Sequence, residues 1–201
     1  MDSLENKISV IIKESIKVKT EILTNRLIPA ALAKLSEEIA NAFRSGNKIM
    51  FCGNGGSAAD AQHLAAEFSG RFYFDREPLP AEALHVNTSY LTAVANDYSY
   101  EEIYARMVKA TGKGGDMLIG LSTSGNSANI VAAFKVAKEK NIRTVGFTGE
   151  TGGKMKEFSD LLFAVPSEDT PRIQEAHIMM GHIVCQLVEE QLFSNPVPAL
   201  H

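Results

Sequence analysis

The sequence predicts an α/β fold of three layers, in which helices cover both faces of a doubly wound parallel sheet. Short hydrophobic runs alternate with longer helical patterns from residue 48 onwards. These runs show no apolar–polar alternation, as expected for strands that are buried on both faces. Two Ser/Gly-rich turns, at residues 52–57 and 122–127, each join a hydrophobic run to a helical run. Repeated strand–turn–helix units of this kind build a doubly wound sheet.

The size and charge of the chain restrict the function classes. Its 201 residues give room for one α/β domain and one or two additional helices. A net charge of −4 argues against a large nucleic-acid footprint, so we expect no nucleic-acid partner. The first residues lack the basic and apolar regions of a signal peptide, and no run is long enough to span a bilayer. We therefore expect a cytoplasmic protein without a membrane partner.

Residues 1–46 predict two helices that precede the first strand. Apolar residues recur at helical spacing in residues 4–16, and again in residues 26–45, where Gly46 ends the second helix. A small α/β core cannot easily bury both helices. We therefore predict that they form an oligomerisation element through a helix-bundle interface.

Residues 48–193 predict the α/β core, of flavodoxin-like type, and residues 1–193 are expected to form a single domain. The predicted strands are residues 48–52, 82–86, 116–121, 143–148 and 161–165. The predicted helices are residues 58–69, 100–109, 128–140 and 171–193. A ligand of such a sheet should lie beyond the carboxyl ends of its strands. Residues 194–201 contain two prolines and are expected to be a loose tail.

Both Ser/Gly-rich turns are predicted to bind an anion. Backbone N–H groups, hydroxyls and the positive end of a helix dipole meet at each turn. Gly53, Gly55 and Ala58 also fit the dinucleotide pattern G-x-G-x-x-A, which is a weak signal alone. The next strand ends without the carboxylate that would bind a ribose, and the additional hydroxyls suit a single sugar phosphate better. A purely structural role in tight turns is the alternative.

Residues 70–79 are predicted to form a loop that could cover this edge with Arg71 and Arg76. The two cysteines, Cys52 and Cys185, lie in apolar stretches and are expected to be buried free thiols rather than catalytic or metal-binding groups. His85, His177 and His201 are expected to be structural or incidental.

Two pairs of polar residues at helical spacing are candidates for chemistry. His63 and Glu67 are four residues apart on the helix that the first turn opens. Gln174 and His182 are two turns apart on the last helix, for which Thr170 is a suitable N-cap. These groups could bind Zn²⁺ in a tetrahedral site, or they could serve as an acid and a base. The plainer alternative is a surface His–Glu pair and a core histidine, because spacing alone does not bring the two helices together.

Four motifs give the chain a resemblance to a known family. They are CGNGGSAADAQHLAAEFSGRF (residues 52–72), Asn96-Asp97, STSGNSAN (residues 122–129) and TPRIQEAHIMMGHIVCQL (residues 170–187). The chain resembles the phosphoheptose isomerases, enzymes of the sugar-isomerase (SIS) fold, over nearly its whole length except the tail. The resemblance implies isomerisation of D-sedoheptulose 7-phosphate to D-glycero-D-manno-heptose 7-phosphate through an enediol(ate), the first step of bacterial heptose biosynthesis. It leaves open whether the heptose enters lipopolysaccharide, a capsule or an S-layer glycan.

The resemblance also implies a homotetramer with active sites at subunit interfaces. One Zn²⁺ per subunit would be bound by His63, Glu67, Gln174 and His182. Glu67 would be the base that moves a proton between C1 and C2, and His182 its acid/base partner. Substrate contacts are implied at Asn54, Gly55, Gly56, Ser57, Arg71, Asn96, Asp97, Ser122, Thr123, Ser124, Ser127, Asp169, Thr170 and Gln174.

Three rival functions remain open at this point. The first is a non-enzymatic SIS protein that binds the bacterial replication initiator; Glu67 and Gly181-His182, which that relative lacks, favour the enzyme. The second is a sugar-phosphate-sensing module, which usually accompanies a DNA-binding segment that this sequence does not display. The third is a dinucleotide oxidoreductase, as weighed above.

Overall fold

A five-stranded parallel sheet with the order β2-β1-β3-β4-β5 forms the centre of the computed structural model, which describes residues 3–193. The strands are β1 Ile49–Gly53, β2 Ala81–Ala83, β3 Met117–Ser122, β4 Arg143–Thr148 and β5 Leu161–Ala164. The helices are α1 Leu4–Thr24, α2 Leu27–Arg44, α3 Gly56–Ser69, α4 Thr88–Asp97, α5 Ile103–Thr111, α6 Ala128–Glu139, α7 Met155–Phe158 and α8 Thr170–Leu192. This order is that of flavodoxin-like folds, in which the ligand crevice opens between β1 and β3. The predicted fold class is therefore confirmed.

Helices cover both faces of the sheet, which explains why its strands read as continuous apolar runs. Every residue of β1 and β3 is buried. Helices α2, α3 and α8 pack on one face together with Phe51, Ile119 and Phe147. Helices α5, α6 and α7 pack on the other face around Met50 and Leu118.

The two N-terminal helices differ in their packing. On α2, Leu32, Leu35 and Ile39 are buried in the core shared with α8, so this helix belongs to the layer that covers the sheet. The expectation that a small core could not easily bury this helix was therefore wrong, while the oligomerisation role of the two helices stays a prediction. Helix α1 contacts α8 through Val18 and Ile22, while the apolar side chains of its first half are at least half exposed.

The region between β2 and α5 departs most from the prediction. Strand β2 ends at Ala83 instead of continuing to residue 86, and the chain then turns. Helix α4 was not predicted, although Asn87 carries a cap signal: its Oδ1 accepts a hydrogen bond from the Tyr90 N–H at 3.0 Å. Helix α5 begins at Ile103, later than expected, and the single-turn helix α7 was also missed. Helices α4, α5 and α7 are short, and the residues at their caps are equally typical of turns.

The C-terminal helix has nearly its predicted bounds. Its N-cap is Asp169 rather than Thr170, so Pro171 is the second helical residue. The predicted tail, residues 194–201, lies outside the described residues. No helix within residues 3–193 is long and apolar enough to cross a membrane.

His177 is a buried core residue of α8, as expected of a structural histidine. Its ring is fully buried, its Nε2 lies 3.1 Å from the Thr148 carbonyl oxygen, and its ring packs edge-on against Phe147. Its Nδ1 has no hydrogen-bond partner among the described residues. Burial lowers the pKa of His177 from 6.5 to about 4, with the Thr148 hydrogen bond opposing the shift.

We expect His177 to make the folded protein sensitive to acid. Because the unfolded chain binds the proton near pH 6.5 and the folded protein only near pH 4, stability is full above pH 6.5 and falls as the pH drops towards 4. The shift corresponds to about 3 kcal/mol. Urea unfolding of wild type and His177→Gln at pH 7.5 and 4.5, at one protein concentration, checks this. The wild type should lose about 2–3 kcal/mol more than the variant; equal losses would contradict the assignment.

Candidate active site

The first turn joins β1 to α3 and requires glycine for steric reasons. A Cβ built on Gly53 would lie 2.2 Å from the Ser57 carbonyl oxygen, so a side chain here would collide with the backbone. Gly55 has a φ of +57° and is the N-cap of α3. A Cβ on Gly56 would lie 2.7 Å from the Nε2 of Gln174, so the amide of Gln174 lies directly against the start of α3.

A reciprocal amide pair joins the first turn to the second. The Nδ2 of Asn54 donates to the Oδ1 of Asn129, and the Nδ2 of Asn129 donates to the Oδ1 of Asn54, both at 2.9 Å. The Tyr100 hydroxyl also donates to the Asn54 Oδ1, at 3.1 Å, and the Tyr104 hydroxyl donates to the Gly53 carbonyl. These hydrogen bonds hold the residues that follow β1 against the start of α6, across the crevice between β1 and β3.

The second turn, residues 122–127, places several hydroxyls at the start of α6. The hydroxyls of Ser122 and Ser127 lie 2.9 Å apart, and Ser127 is the N-cap of α6. The Ser124 Oγ accepts a hydrogen bond from the Asn126 N–H at 3.1 Å. Gly125 has a φ of +64°. The positive end of the α6 dipole thus faces a group of hydroxyls, an arrangement that suits a phosphate.

An open cavity of about 290 Å³ lies between this turn, the end of β4 and the start of α8. It is lined by Thr123, Ser124, Asn126, Gly149, Glu150, Thr151, Ser167, Glu168, Thr170 and Ile173. Most of these groups are hydroxyls or carboxylates, which can bind the hydroxyls of a sugar. Its volume is at the lower end of the range of small-molecule sites.

His63, Glu67 and His182 come together between α3 and α8. The His63 Nε2 lies 2.9 Å from the Glu67 Oε1 and 3.3 Å from the His182 Nε2. The three ligand atoms lie within 4.8 Å of one another. Two ligands 2.0–2.1 Å from a tetrahedral Zn²⁺ are about 3.3 Å apart, so the donor types and their spacing fit such an ion.

A close approach of α3 and α8 creates this cluster. A Cβ on Gly181 would lie 2.6 Å from the Cδ atoms of Leu64, so only glycine lets the two helices come this near. Leu64 follows His63 and Gly181 precedes His182, so this contact sets the two imidazoles side by side. Gly181 therefore has a packing role beside the cluster.

Burial lowers the pKa of His182, the nearby His63 lowers it further, and the Glu67 carboxylate raises it. The net direction favours the neutral imidazole, the form that binds a metal or accepts a proton.

The comparisons with known proteins identify the family of this chain. The sequence pattern of the SIS domain matches residues 14–149. The phosphoheptose isomerase of Clostridium acetobutylicum is 54% identical over 194 residues, which cover 96% of this chain and 99% of that protein. That of Aneurinibacillus thermoaerophilus is 53% identical over 184 residues, 92% of this chain and 93% of that protein. The chain belongs to the phosphoheptose isomerase family.

Solved structures extend this similarity to three dimensions. Phosphoheptose isomerase GmhA from Neisseria gonorrhoeae has a TM-score of 0.88 and 39% identity, and the match covers 94% of this chain and 100% of that one. A phosphoheptose isomerase from Francisella tularensis has a TM-score of 0.90 and 32% identity with the same coverage. The resemblance stated from the motifs is thereby confirmed, and with it the assignment to aldose–ketose isomerases.

Most of the residues that were expected to form the site fall into three groups. His63, Glu67 and His182 form one cluster, as described above. Gln174 lies against the first turn of α3, and its role as a metal ligand stays a prediction. The remaining positions lie in the two turns or at the start of α8, beside the cavity that borders the second turn; these are Asn54, Gly55, Gly56, Ser57, Ser122, Thr123, Ser124, Ser127, Asp169 and Thr170.

Three other expected substrate contacts lie further from these groups. Asn96 and Asp97 end α4, are exposed, and hydrogen-bond to each other at 2.9 Å. Within residues 3–193 no hydrogen bond ties them to either turn. Arg71 is exposed on the segment that follows α3. Their roles in binding substrate stay predictions.

Arg76 is the one loop residue whose expected place was wrong. The loop prediction placed it over the site, but its side chain is 2% exposed and forms an ion pair with Glu189. Sequence reasoning missed Glu189, Asn129 and Tyr100. Asn129 lies inside the motif at residues 122–129, which offered a signal, whereas Glu189 and Tyr100 offered none. Cys52 and Cys185 are buried free thiols, as expected.

Proposed function

We propose that this protein interconverts D-sedoheptulose 7-phosphate and D-glycero-D-manno-heptose 7-phosphate in heptose biosynthesis, the reaction of the family to which it belongs. The observation that carries the proposal is the His63–Glu67–His182 cluster. It lies on α3, which the first turn opens, and on α8, whose first residues line the cavity beside the second turn. Such a site can hold a phosphate at one end and move protons at the other.

The phosphate end is the second turn. The hydroxyls of Ser122, Ser124 and Ser127 and the start of α6 supply donors and a positive dipole end. A phosphate held here is remote from the reacting carbons, so its binding energy serves to position them.

The reacting end is the cluster. The Glu67 carboxylate takes the proton from the carbon next to the carbonyl and returns it to the neighbouring carbon. His182, whose imidazole is held neutral by burial, moves the proton between the two substrate oxygens. His63 lies within hydrogen-bonding distance of both groups and orients them.

We propose that Zn²⁺ is the cofactor, one ion per subunit, held by His63, Glu67 and His182 with Gln174 as the expected fourth ligand. Two imidazole nitrogens and a carboxylate oxygen at this spacing are a donor set that Zn²⁺ accepts. When bound, Zn²⁺ supplies Lewis-acid stabilisation of the negative charge that develops on the substrate oxygens.

We expect purified protein to convert sedoheptulose 7-phosphate, and chelation to lower that activity by at least about 100-fold. The reaction is followed by proton NMR with the protein as purified, after chelation with verified metal removal, and after add-back of Zn²⁺. Restoration by Zn²⁺ supports the metal role, and Mg²⁺ add-back is the control. Full activity of the metal-free protein would contradict the role of Zn²⁺ and indicate acid/base chemistry without a metal. If no sample converts the substrate, the proposed reaction is contradicted.

We also propose a homotetramer in which α1 forms the subunit contacts. The apolar side chains of its first half are at least half exposed, and such a stripe along a helix is typical of a helix-bundle interface. A monomer in sedimentation equilibrium would contradict this. The destination of the heptose, lipopolysaccharide among others, and the cytoplasmic location stay predictions from the sequence.

A further inference from the structure

A buried ion pair behind the cluster ties the last turn of α3 to the end of α8. The Arg76 Nε donates to the Glu189 Oε1 at 2.7 Å, and the two side chains are 2% and 1% exposed. Removing both charges from water costs several kcal/mol per ion, so a pair of this kind is weak support for stability alone. Its role is better explained by the hydrogen bonds that the two side chains make to the neighbouring backbone.

The Glu189 carboxylate holds the segment that follows α3. Besides Arg76, it accepts hydrogen bonds from three consecutive backbone N–H groups, those of Phe72, Tyr73 and Phe74, at 3.2, 2.7 and 3.1 Å. These donors lie outside the helices and the five-stranded sheet, so their hydrogen bonds must be supplied by other groups. Among the described residues, the side-chain hydrogen bonds between this segment and α8 thus all end on Glu189.

The Arg76 guanidinium holds the end of α3. It donates to the carbonyl oxygens of Glu67 and Phe68 at 2.8 and 2.9 Å, and also to those of Gly70 and Glu77. The last carbonyls of a helix lack partners within it, so Arg76 caps the turn that carries Glu67. The backbone of the proposed base is thereby held in place.

The same segment reaches the other proposed proton carrier. The backbone N–H of Phe72 donates to Glu189, and the centroid of the Phe72 ring lies 5.6 Å from that of the His182 ring. His182 and Glu189 are seven residues apart and therefore share one face of α8. The Arg76–Glu189 pair thus contacts the Glu67 backbone directly and reaches His182 through Phe72.

We propose that Arg76 and Glu189 are positioning residues for the isomerisation, which act through the Glu67 backbone and the Phe72 ring. The inference rests on the proposed function and adds residues to the same site. Neither side chain touches the substrate. Their effect is to keep the Glu67 carboxylate and the two imidazoles at the spacing that proton transfer and metal binding require.

The test compares Arg76→Lys and Glu189→Gln with wild type. Arg76→Lys keeps the charge but loses the fork that binds several carbonyls, and Glu189→Gln keeps the shape but loses the charge. We expect kcat to fall about 10–100-fold with KM changed by less than about threefold, because the phosphate end is intact. Calorimetric titration of metal-free protein with Zn²⁺ should show about 10-fold or greater loss of affinity.

A matched control is the Glu38–Arg143 ion pair, which joins α2 to the start of β4 and is broken by Glu38→Gln. It should leave kcat and the Zn²⁺ affinity of folded protein unchanged. Should the single variants fold poorly, the double variant Arg76→Met/Glu189→Met fills the site with apolar groups. We expect it to fold while kcat and Zn²⁺ affinity stay low; recovery of both would overturn the inference.

Hydrogen–deuterium exchange separates this inference from the proposed function. In Arg76→Lys and Glu189→Gln, the amides of residues 70–79 should exchange at least about 10-fold faster, with the sheet unaffected. Unchanged exchange there, or wild-type kcat and Zn²⁺ affinity in both variants, would overturn the positioning role. If the wild type itself neither binds Zn²⁺ nor isomerises, the proposed function fails, and the exchange rates alone decide the inference.

Discussion

Glu67→Gln is expected to lower kcat by about 1,000-fold and to abolish exchange of the transferred hydrogen with solvent deuterium. The substitution keeps the shape of the side chain but removes the carboxylate that we propose as the proton acceptor, and general-base catalysis contributes about 10²–10⁴-fold. Sugar-phosphate binding should change little, because the proposed phosphate site is the turn at residues 122–127. Turnover by NMR in deuterated water and calorimetric binding of the substrate measure the two effects separately.

The control for Glu67→Gln is Glu139→Gln, the same change at an exposed position near the end of α6. It should leave both turnover and binding as in wild type. Retained turnover in Glu67→Gln would assign the proton transfer to another group, whereas loss of substrate binding would show that Glu67 has a structural role.

Gly125→Ala is expected to disable the second turn and to destabilise the fold. Gly125 has a φ of +64°, and a Cβ at this position would lie 2.2 Å from the Gly152 carbonyl oxygen. Backbone strain and overpacking each cost about 1–3 kcal/mol, so we expect a loss of about 3 kcal/mol or more. Tm should fall by roughly 6–12 °C, and KM for the sugar phosphate should rise at least about 10-fold.

Gly114→Ala supplies the matched comparison, since a Cβ there would meet its nearest atom, the Lys140 carbonyl oxygen, at 3.4 Å. Calorimetry should show a Tm change of less than about 3 °C for this variant, with KM unaffected. A Gly125→Ala protein as stable as wild type would mean that the loop around Gly152 can move aside, and an unchanged KM would remove the turn from phosphate binding.

Sequence patterns predicted those features that depend on local chemistry. The two turns were visible because tight strand-to-helix connections need glycine, and hydroxyls beside a helix start have few other uses. The pair His63 and Glu67 was visible because a helix sets residues four apart on one face. The layer order followed from strands that are apolar throughout.

The remaining features depend on contacts between distant parts of the chain. Nothing in the spacing of Gly181 indicates that Leu64 would be its neighbour, so the convergence of His63 and His182 could be proposed only through the family resemblance. Glu189 looked like one more charge near the end of a helix, and its burial depends on a segment more than 110 residues earlier. The burial of helix α2 was missed for the same reason, because it depends on packing against α8, far along the chain.

The two buried thiols have a practical consequence for studying this protein in motion. Cys52 and Cys185 are the only cysteines in the sequence, and burial raises the pKa of each thiol far above its ordinary value. Neither sulfur is available as the thiolate that maleimide and iodoacetamide dyes attack. Two cysteines introduced on the surface would therefore be the fast-reacting positions, and a pair of fluorophores attached there could report the distance between them with the native cysteines left in place.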